Sequence, residues 1–455
     1  MTFSPGIERQ EPQQRDQGRI LRRHRWFTAS AIGMAILYVV GNFEARRMRV
    51  LLDEAENPGI AAKTNQKSDR AIVNPETEME QCQHLPWSTS AFVRAVHDDP
   101  ENVSLKTWTG PNSSAIPRLD STLLSQAFGG KRVALIGDST LFQTLQRLHQ
   151  IIMLTKPSTE GNNNTAANQA EDDFLAKLSN TKTLTKTVRA LDAEAGRRSK
   201  GSTRLVGMDA LVEDVWYDHI MNAHIFWTGF RGYNMKDNCH GWKTQVWPKL
   251  HVERPDVIVA NWGLHMLHHG IAPKRPCNVH QFIHYEEDWL ETVLQVAREV
   301  GTKLLLFKTT NYICEERYPK QLQHGLADLA ENTSTVVAKC ITKIQKSNRR
   351  DGEHYNLTDD DMHRYCIEGA GTDHNVQLLN DRLRKFVERA QTRVPPGLTI
   401  AVCNDHDMES CPYTRVDDGS HYPKLQLPRI RMLAHMVHCL WADKKDTVRA
   451  NQRTN

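Results

Sequence analysis

A serine, a histidine and an aspartate in this 455-residue chain have the types and settings of a nucleophile, its base and the group that orients the base. Ser139 ends the turn Gly137–Ser139, which follows the apolar stretch Val133–Ile136 and precedes residues with the apolar spacing of an amphipathic helix. A serine between a buried strand and a helix has an accessible hydroxyl, and helix N-terminal amides stabilise a nearby anion. This setting predicts a nucleophile.

A matching base stands near the C-terminus, in the segment Val416–Pro423. Asp418 and His421 are three residues apart in a turn that contains Gly419, so the carboxylate can hydrogen-bond the imidazole of its own loop and fix its tautomer. Such spacing alone is typical of a solvated turn. In combination with Ser139 it favours a catalytic triad.

Two other groups of residues are alternative candidates for a functional site. Asp360 and His363 also fit Asp-x-x-His, but they precede the last predicted strand, and we favour the later pair. His265, His268 and His269 raise the alternative of a metal site, because the first and last have helical i, i+4 spacing. No cysteine or carboxylate stands with them, so we predict no bound metal.

An acyl-transfer site also needs hydrogen-bond donors for the developing oxyanion. Asn261 follows the apolar stretch Val257–Ala260, and its side-chain amide is one candidate donor. The backbone amide of Ser139 is a second, and Gly229 or Gly232 is a third. Asparagine and glycine are also ordinary turn formers, which is the alternative interpretation at these positions.

Strands and helices that could position these residues alternate along the chain. The predicted strands are Val133–Ile136, His224–Trp227, Val257–Ala260, Lys303–Phe307 and Leu398–Val402. The predicted helices are Leu141–Leu154, Val279–Val300, Val376–Ala390 and Leu425–Leu440. Short apolar strands with long connections indicate an α/β fold: a three-layer α/β/α sandwich on a central parallel sheet. Ligands bind such folds at the carboxyl ends of the strands, where Ser139 stands.

The N-terminal region predicts a membrane anchor. Trp26–Phe43 contains no charged residue and has basic residues on both sides, with the larger number before it. This indicates a cytosolic tail at 1–25, one transmembrane helix and a luminal remainder. A cleaved signal peptide is the alternative, but no clear small-x-small cleavage site follows. The net charge of +4 is scattered, which argues against a nucleic-acid partner.

The cysteines agree with an oxidising lumen. All nine lie beyond the apolar segment, enough for up to four disulfides and one free thiol, and Cys403 and Cys411 are close enough to clip one loop. Five N-x-S/T sequons lie on the same side: Asn102, Asn112, Asn163, Asn332 and Asn356. We expect a stem at 44–81, a catalytic domain at 82–442 with a polar insertion at 156–202, and a tail at 443–455.

These blocks resemble the SGNH, or GDSL-like, hydrolase superfamily. Ile136–Ser139 matches its first block, Asn261 its asparagine block and Asp418–His421 its last block, whereas its glycine block has no clear counterpart. The closer likeness is to the PC-esterase group, which includes the trichome-birefringence-like polysaccharide O-acetyltransferases. In that group an N-x-G-x-W-like block and an aromatic residue after the histidine recur. Here the first is Asn261–His265, with the position of the tryptophan changed, and the second is Tyr422.

The resemblance implies that Ser139 attacks an acyl ester, His421 transfers the proton, Asp418 orients His421, and Asn261 with the Ser139 amide stabilises the oxyanion. We expect a single-pass type II protein of the Golgi or endoplasmic reticulum that acetylates sugar hydroxyls of a glycan or polysaccharide. It would bind no resident cofactor and take its acetyl group from a donor such as acetyl-CoA. A carbohydrate or lipid esterase and a catalytically silent glycan-binding domain are the alternatives.

Overall fold

Strands rich in Val, Ile and Leu form the centre of the fold. The computed structural model describes residues 93–94, 96, 108–109, 115–116, 119–154, 205–206, 211–216, 222–229, 241–268, 276–350 and 355–453. The strands are β1 (Trp108–Thr109), β2 (Ala115–Ile116), β3 (Arg132–Gly137), β4 (Leu205–Val206), β5 (Leu211–Trp216), β6 (His224–Gly229), β7 (Val257–Asn261), β8 (Leu304–Lys308) and β9 (Thr399–Cys403).

The larger sheet has the strand order β4-β5-β6-β3-β7-β8-β9. The five strands from β6 to β9 in that order are parallel to their neighbours, whereas β5 runs antiparallel to β6 and β4 antiparallel to β5. β1 and β2 form a separate antiparallel pair. The five predicted strands are therefore confirmed. The sequence did not predict β4 and β5, because β4 has only two residues and Glu213 and Asp214 interrupt the apolar pattern of β5.

The order of the parallel strands creates a crevice at the end of β3. The chain passes from β3 to β6 on one side and then crosses to β7 on the other. In open α/β sheets, a ligand binds at such a reversal, outside the carboxyl ends of the strands. Ser139, two residues after β3, therefore lies at the position that the topology favours for a site.

Helices follow most of the strands. They are α1 (Ser121–Phe128), α2 (Ser139–Leu154), α3 (Trp247–Glu253), α4 (Gly263–Met266), α5 (Pro276–Ile283), α6 (Glu291–Val300), α7 (Lys320–Glu331), α8 (Thr333–Arg350), α9 (Asp359–Glu368), α10 (Asp373–Gln391) and α11 (Gln426–Arg453). A π-helical segment, Tyr285–Leu290, divides the predicted helix Val279–Val300 between α5 and α6. α11 extends through most of the expected tail at 443–455.

Apolar side chains pack on both faces of the sheet. Successive residues of β3 point to opposite faces, so Val133 and Leu135 join one buried cluster while Ala134 and Ile136 join the other. The first cluster includes apolar residues of α1, α2 and α11, and the second includes those of α3, α6 and α10. The chain therefore has an α/β architecture with helices on either side of a mostly parallel sheet.

Several predicted segments lie outside the described residues. These are the cytosolic tail, the anchor Trp26–Phe43, the stem and the insertion at 156–202. Among the helices that the structure describes, none combines the length and the apolar character needed to cross a membrane.

Disulfides join segments that are distant in sequence. Cys314 is bonded to Cys411 and Cys340 to Cys366, with Cα–Cα distances of 5.1 and 6.1 Å. Cys403 is a buried free thiol, so the suggested clip between Cys403 and Cys411 is wrong. The reason is position: Cys403 ends β9 inside the fold, whereas Cys411 lies in the following loop beside the segment after β8.

Candidate active site

Three neighbouring strands approach closely at the carboxyl edge of the sheet. Gly137 of β3 is in register with Gly229 of β6 on one side and with Asn261 of β7 on the other. A Cβ on Gly137 would lie 2.0 Å from the carbonyl oxygen of Asn261, and a Cβ on Gly229 would lie 1.8 Å from that of Gly137. Glycine is therefore required at both positions for the strands to pack next to Ser139.

Asp138 fixes the turn from which the serine hydroxyl projects. This carboxylate is fully buried, and its Oδ1 accepts hydrogen bonds from the backbone N–H of Thr140 at 2.9 Å and from the Thr140 hydroxyl at 2.6 Å. Ser139 follows as the first residue of α2 and is partly exposed. Because the first N–H groups of a helix have no intrahelical acceptor, this end of α2 favours an anion near Ser139.

The structure brings Ser139, His421 and Asp418 into one hydrogen-bonded chain. Ser139 Oγ is 2.8 Å from His421 Nε2, although 282 positions separate the two residues in sequence. His421 Nδ1 is 2.8 Å from Asp418 Oδ1 and 3.0 Å from Oδ2. An ionised carboxylate only accepts, so Nδ1 carries the hydrogen and Nε2 is left to accept the serine proton.

Donors within the same loop keep Asp418 ionised. Burial acts to raise the pKa of Asp418, but hydrogen bonds from His421 and Ser420 outweigh it and hold this pKa below its ordinary value. Ser420 donates to Asp418 Oδ1 from its hydroxyl at 2.9 Å and from its backbone N–H at 3.2 Å. Gly419 has a φ of 72°, and a Cβ there would lie 2.6 Å from the carbonyl oxygen of Cys314. The tight turn therefore needs glycine.

Asn261 stands at the end of β7 as predicted, but its side-chain amide is engaged elsewhere. Nδ2 donates to the carbonyl oxygens of Lys308 at 3.0 Å and Thr309 at 2.9 Å, which uses both of its hydrogens. The amide thus ties β7 to the end of β8, and its role as an oxyanion donor stays a prediction. Gly229 lies beside Gly137 at the same edge, and its role is likewise untested.

The other residues considered from sequence lie away from this hydrogen-bonded chain. His265 is stacked on Trp262 with ring centroids 4.8 Å apart, and His268 is buried against Tyr365. Asp360 and His363 are exposed on α9. In the part of the chain that the structure describes, no three His, Cys, Asp or Glu side chains are grouped as a metal site requires. His269 and Gly232 lie outside the described residues.

A cluster of buried charges next to the site was not predicted from sequence. It consists of Lys308, Asp405, Glu409 and Arg429, each no more than 5% exposed, and we call it the buried charge cluster. Asp405 Oδ2 is 3.0 Å from both Lys308 Nζ and Arg429 Nε, and Arg429 also pairs with Glu409. One signal was available: Lys308 ends a strand that is otherwise a continuous apolar run.

A second histidine that is paired with carboxylates lies after β9 on the same edge of the sheet. His406 Nε2 is 3.1 Å from Asp373 Oδ1, and its Nδ1 is 3.4 Å from Asp407 Oδ1. Burial acts to lower the pKa of His406, but the hydrogen bonds to both carboxylates prevail and raise this pKa to about 9. This imidazole therefore carries a proton at neutral pH.

No protein-family model matches the chain, and no curated protein matches it. The fold and the site therefore define the class of protein by themselves. It is an α/β protein with a Ser–His–Asp hydrogen-bonded chain at the carboxyl edge of a parallel sheet.

Proposed function

We propose that this protein catalyses acyl transfer through Ser139. The observation that carries the proposal is the hydrogen-bonded chain from Ser139 Oγ through His421 to Asp418. Each contact has the length of a formed hydrogen bond, and the three groups have the order that nucleophile, base and orienting carboxylate require. The position of Ser139 at the reversal of strand order adds independent support, because ligands bind α/β sheets there.

The proposed proton transfers follow the same hydrogen-bonded chain. As Ser139 Oγ attacks the carbonyl carbon of an ester or thioester, its proton passes to His421 Nε2, and the resulting imidazolium is stabilised by Asp418. The tetrahedral intermediate collapses when His421 returns that proton to the leaving group, which departs and leaves an acyl-enzyme. An acceptor hydroxyl then gives its proton to Nε2 and attacks the acyl group, and the serine is released with its hydrogen restored.

The backbone N–H of Ser139 is the oxyanion donor that we favour, because it stands at the first position of α2. The side chain of Asn261 joins it only by giving up its hydrogen bonds to two carbonyl oxygens. If the oxyanion replaces one of these carbonyl oxygens when substrate binds, the Asn261 amide becomes a second donor. Asn261 would then act during the reaction and not in the resting site.

For the acceptor we propose a sugar hydroxyl of a glycan or polysaccharide in the secretory lumen, with acetyl as the acyl group. The likeness of three sequence blocks to the SGNH superfamily and its PC-esterase group supports this choice. Disulfides are typical of proteins in an oxidising compartment, and the described residues include the bonded pairs Cys314–Cys411 and Cys340–Cys366. Asn332 and Asn356, the sequons within the described residues, are exposed as glycosylation requires. The anchor at Trp26–Phe43 would hold the protein as a type II membrane protein of the Golgi or endoplasmic reticulum.

A labelling experiment tests the nucleophile. The purified protein is treated with a fluorophosphonate probe and, separately, with p-nitrophenyl acetate. We expect Ser139 to be labelled and the ester to be turned over, and the Ser139→Ala variant to lose both activities. Ser420→Ala is the matched control for labelling, because Ser420 is the neighbouring serine hydroxyl but faces Asp418. Labelling and turnover that survive in Ser139→Ala would show that the assignment is wrong.

A second experiment separates transfer from hydrolysis. The protein is incubated with acetyl-CoA or another acetyl donor and a panel of oligosaccharides, and the products are analysed by mass spectrometry. Acetylated sugars that depend on Ser139 support the transferase. Hydrolysis of the donor or of acetylated sugars, without transfer to any acceptor in the panel, favours the esterase. Binding of an oligosaccharide without either reaction favours a glycan-binding domain.

A further inference from the structure

We infer that Lys308 and Asn311 are positioning residues that hold the loop of the catalytic histidine in place. This inference rests on the proposed function, because it concerns the same Ser139, His421 and Asp418. The structure provides a continuous path of buried hydrogen bonds from the end of β8 to the residue that precedes His421. Neither residue reaches the reacting atoms, so both would act through the histidine loop.

The path begins at the ammonium group of Lys308, which is only 5% exposed. This group donates two hydrogen bonds and forms one ion pair. Nζ is 2.7 Å from Asn311 Oδ1, 3.0 Å from the carbonyl oxygen of Thr309 and 3.0 Å from Asp405 Oδ2. The ammonium group therefore makes two hydrogen bonds and one ion pair, and these three partners restrict its orientation.

Asn311 connects the Lys308 ammonium group to the histidine loop. Because its Oδ1 accepts from Lys308, its Nδ2 is directed the other way and donates to the carbonyl oxygen of Ser420 at 3.0 Å. Asn311 is 1% exposed, so water does not compete for either bond. Ser420 directly precedes His421 and also donates to Asp418, so a displacement of Ser420 would disturb both contacts of the imidazole.

The segment after β8 makes two further hydrogen bonds to the same loop. The backbone N–H of Cys314 donates to the carbonyl oxygen of Gly419 at 2.8 Å, and the Tyr422 hydroxyl donates to the carbonyl oxygen of Tyr312 at 2.9 Å. The hydrogen bond from Asn311 to Ser420 lies between these two contacts along the histidine loop, and Asn311 is itself bonded to the buried ammonium group of Lys308. It therefore connects the loop to the sheet and not only to another loop.

The same end of β8 also contacts the strand beside the nucleophile. The carbonyl oxygens of Lys308 and Thr309 accept both hydrogens of Asn261 Nδ2, and Asn261 is in register with Gly137. Ser139 is two residues further along the chain from Gly137. The backbone at the end of β8 thus contacts the strand beside the nucleophile, while the Lys308 side chain contacts the residue that binds the histidine loop.

The charge of Lys308 argues for a role beyond packing. Burial lowers the pKa of Lys308, and Asp405 opposes that shift by pairing with it. Replacing a buried ion pair by apolar residues is often neutral or stabilising, so stability alone does not favour a lysine at the end of this strand. The charge has a function if the Lys308 ammonium group orients the Asn311 amide.

The test compares Lys308→Met, Asn311→Asp and the double variant with the wild type, using p-nitrophenyl acetate turnover over a range of pH. Asn311→Asp retains the shape of the side chain and an acceptor for Lys308 but loses the hydrogen bond to Ser420. We expect each single variant to lower kcat about 10- to 100-fold with KM changed less than about threefold, because positioning affects the transition state more than ground-state binding. We also expect the pH dependence of kcat to shift, since the contacts of His421 are altered.

The double variant distinguishes one path from two separate effects. If Lys308 acts through Asn311, its kcat will be close to that of the lower single variant and not the product of the two losses. Lys303→Met is the matched control, since this half-exposed lysine precedes the same strand and pairs with Asp256 at the opposite edge of the sheet. It should leave kcat and its pH dependence unchanged.

Three results would overturn the inference. The first is an unchanged kcat and pH profile in Asn311→Asp, a variant that can be judged even if Lys308→Met fails to fold. The second is a loss of thermal stability without a change in kcat, which means that the path is only structural. The third is multiplicative losses in the double variant. The proposed function survives each of these results. It fails if the wild type turns over no ester and Ser139 is not labelled, or if labelling and turnover survive in Ser139→Ala, and in either case both proposals fall.

Discussion

Two histidines that pair with aspartates lie on the same edge of the sheet, and they differ in what occupies their second ring nitrogen. His421 has Asp418 at Nδ1 and the Ser139 hydroxyl at Nε2. His406 has Asp373 at Nε2 and Asp407 at Nδ1. One carboxylate orients a ring and leaves a nitrogen to accept a proton, whereas two carboxylates hold both protons on the ring. The His421–Asp418 contact thus has the arrangement that a base and its orienting group require, whereas the His406–Asp373 contact belongs to a protonated ring.

The Asp360–His363 pair shows that spacing alone does not create either arrangement. Both side chains are exposed on α9. The neighbouring Asp361 caps the same helix by a reciprocal pair of hydrogen bonds with Thr358, so the acidic residues here serve the helix terminus. The same Asp-x-x-His pattern becomes a catalytic candidate only where the chain turns tightly and faces a serine.

The largest difference between the two paired histidines should appear in ester turnover. His421→Ala removes the group that accepts the serine proton, and we expect kcat for p-nitrophenyl acetate to fall about 10⁵-fold. His406→Gln should keep kcat within about threefold of the wild type, because His406 contacts no reacting atom. Steady-state kinetics at a temperature where both variants are folded checks the contrast. Comparable losses in both variants would contradict the assignment of His421 as the base.

Substitutions of the two carboxylates, Asp418 and Asp373, should differ almost as much in their effect on kcat. Asp418→Asn removes the acceptor that holds the hydrogen on His421 Nδ1, and we expect kcat to fall about 10⁴-fold. Asp373→Asn breaks the contact with His406 and should change kcat only a few-fold. The measurement is the same assay, with thermal unfolding curves to confirm that each protein is folded. A mild effect of Asp418→Asn would mean that another group orients His421.

One side of this contrast, the group of Ser139, Asp418 and His421, could be foreseen from the sequence. The strand that ends at Gly137 was predicted because continuous apolar residues followed by a Gly-Asp-Ser turn are typical of a buried strand that enters a helix. The triad was predicted because Asp418 and His421 share one tight turn and Ser139 stands between a predicted strand and a predicted helix. These are signals from residue type and local pattern, and the structure brings the three residues together as expected.

What was missed depends on contacts between distant segments. Asn311 and Ser420 are 109 positions apart, and nothing in the local sequence of either indicates the other. The carboxylates of His406 come from the start of α10 and from the loop after β9, so its charge depends on the fold. The disulfide from Cys314 to Cys411 spans 97 positions, which is why proximity in sequence gave the wrong partner for Cys411.

The protonation of His406 predicts how the free energy of unfolding depends on pH. Its pKa is about 9 in the folded protein and returns to an ordinary value near 6.5 on unfolding. The folded state therefore binds this proton more tightly, so the stabilisation is complete below about pH 6.5 and is lost as pH rises through about 9. We expect the free energy of unfolding to fall by about 3 kcal/mol across that window relative to His406→Gln.

Urea unfolding of the wild type and His406→Gln at several pH values between 6 and 10 measures this difference. The subtraction removes the contributions of other titrating groups, which the two proteins share. A difference that is constant with pH, or that grows as pH rises, would contradict a doubly paired, protonated His406. In that case the contrast with His421 would rest on hydrogen bonds alone and not on charge.

The smallest effect concerns the donors that support each aspartate. The Ser420 hydroxyl donates to Asp418 at 2.9 Å, and Gln377 Nε2 donates to Asp373 at 2.7 Å. Ser420→Ala removes one hydrogen bond to a charged acceptor while its backbone N–H still donates, so we expect kcat to fall about 10-fold. The pKa of Asp418 should also rise towards its ordinary value, so activity should be lost at a higher pH on acidification than in the wild type. Gln377→Ala should change neither quantity, because the carboxylate that it supports holds a cation in place and moves no proton. Equal effects of the two substitutions on the acidic limb of the pH profile would contradict the contrast. They would mean that the catalytic reaction depends on Asp373 as much as on Asp418.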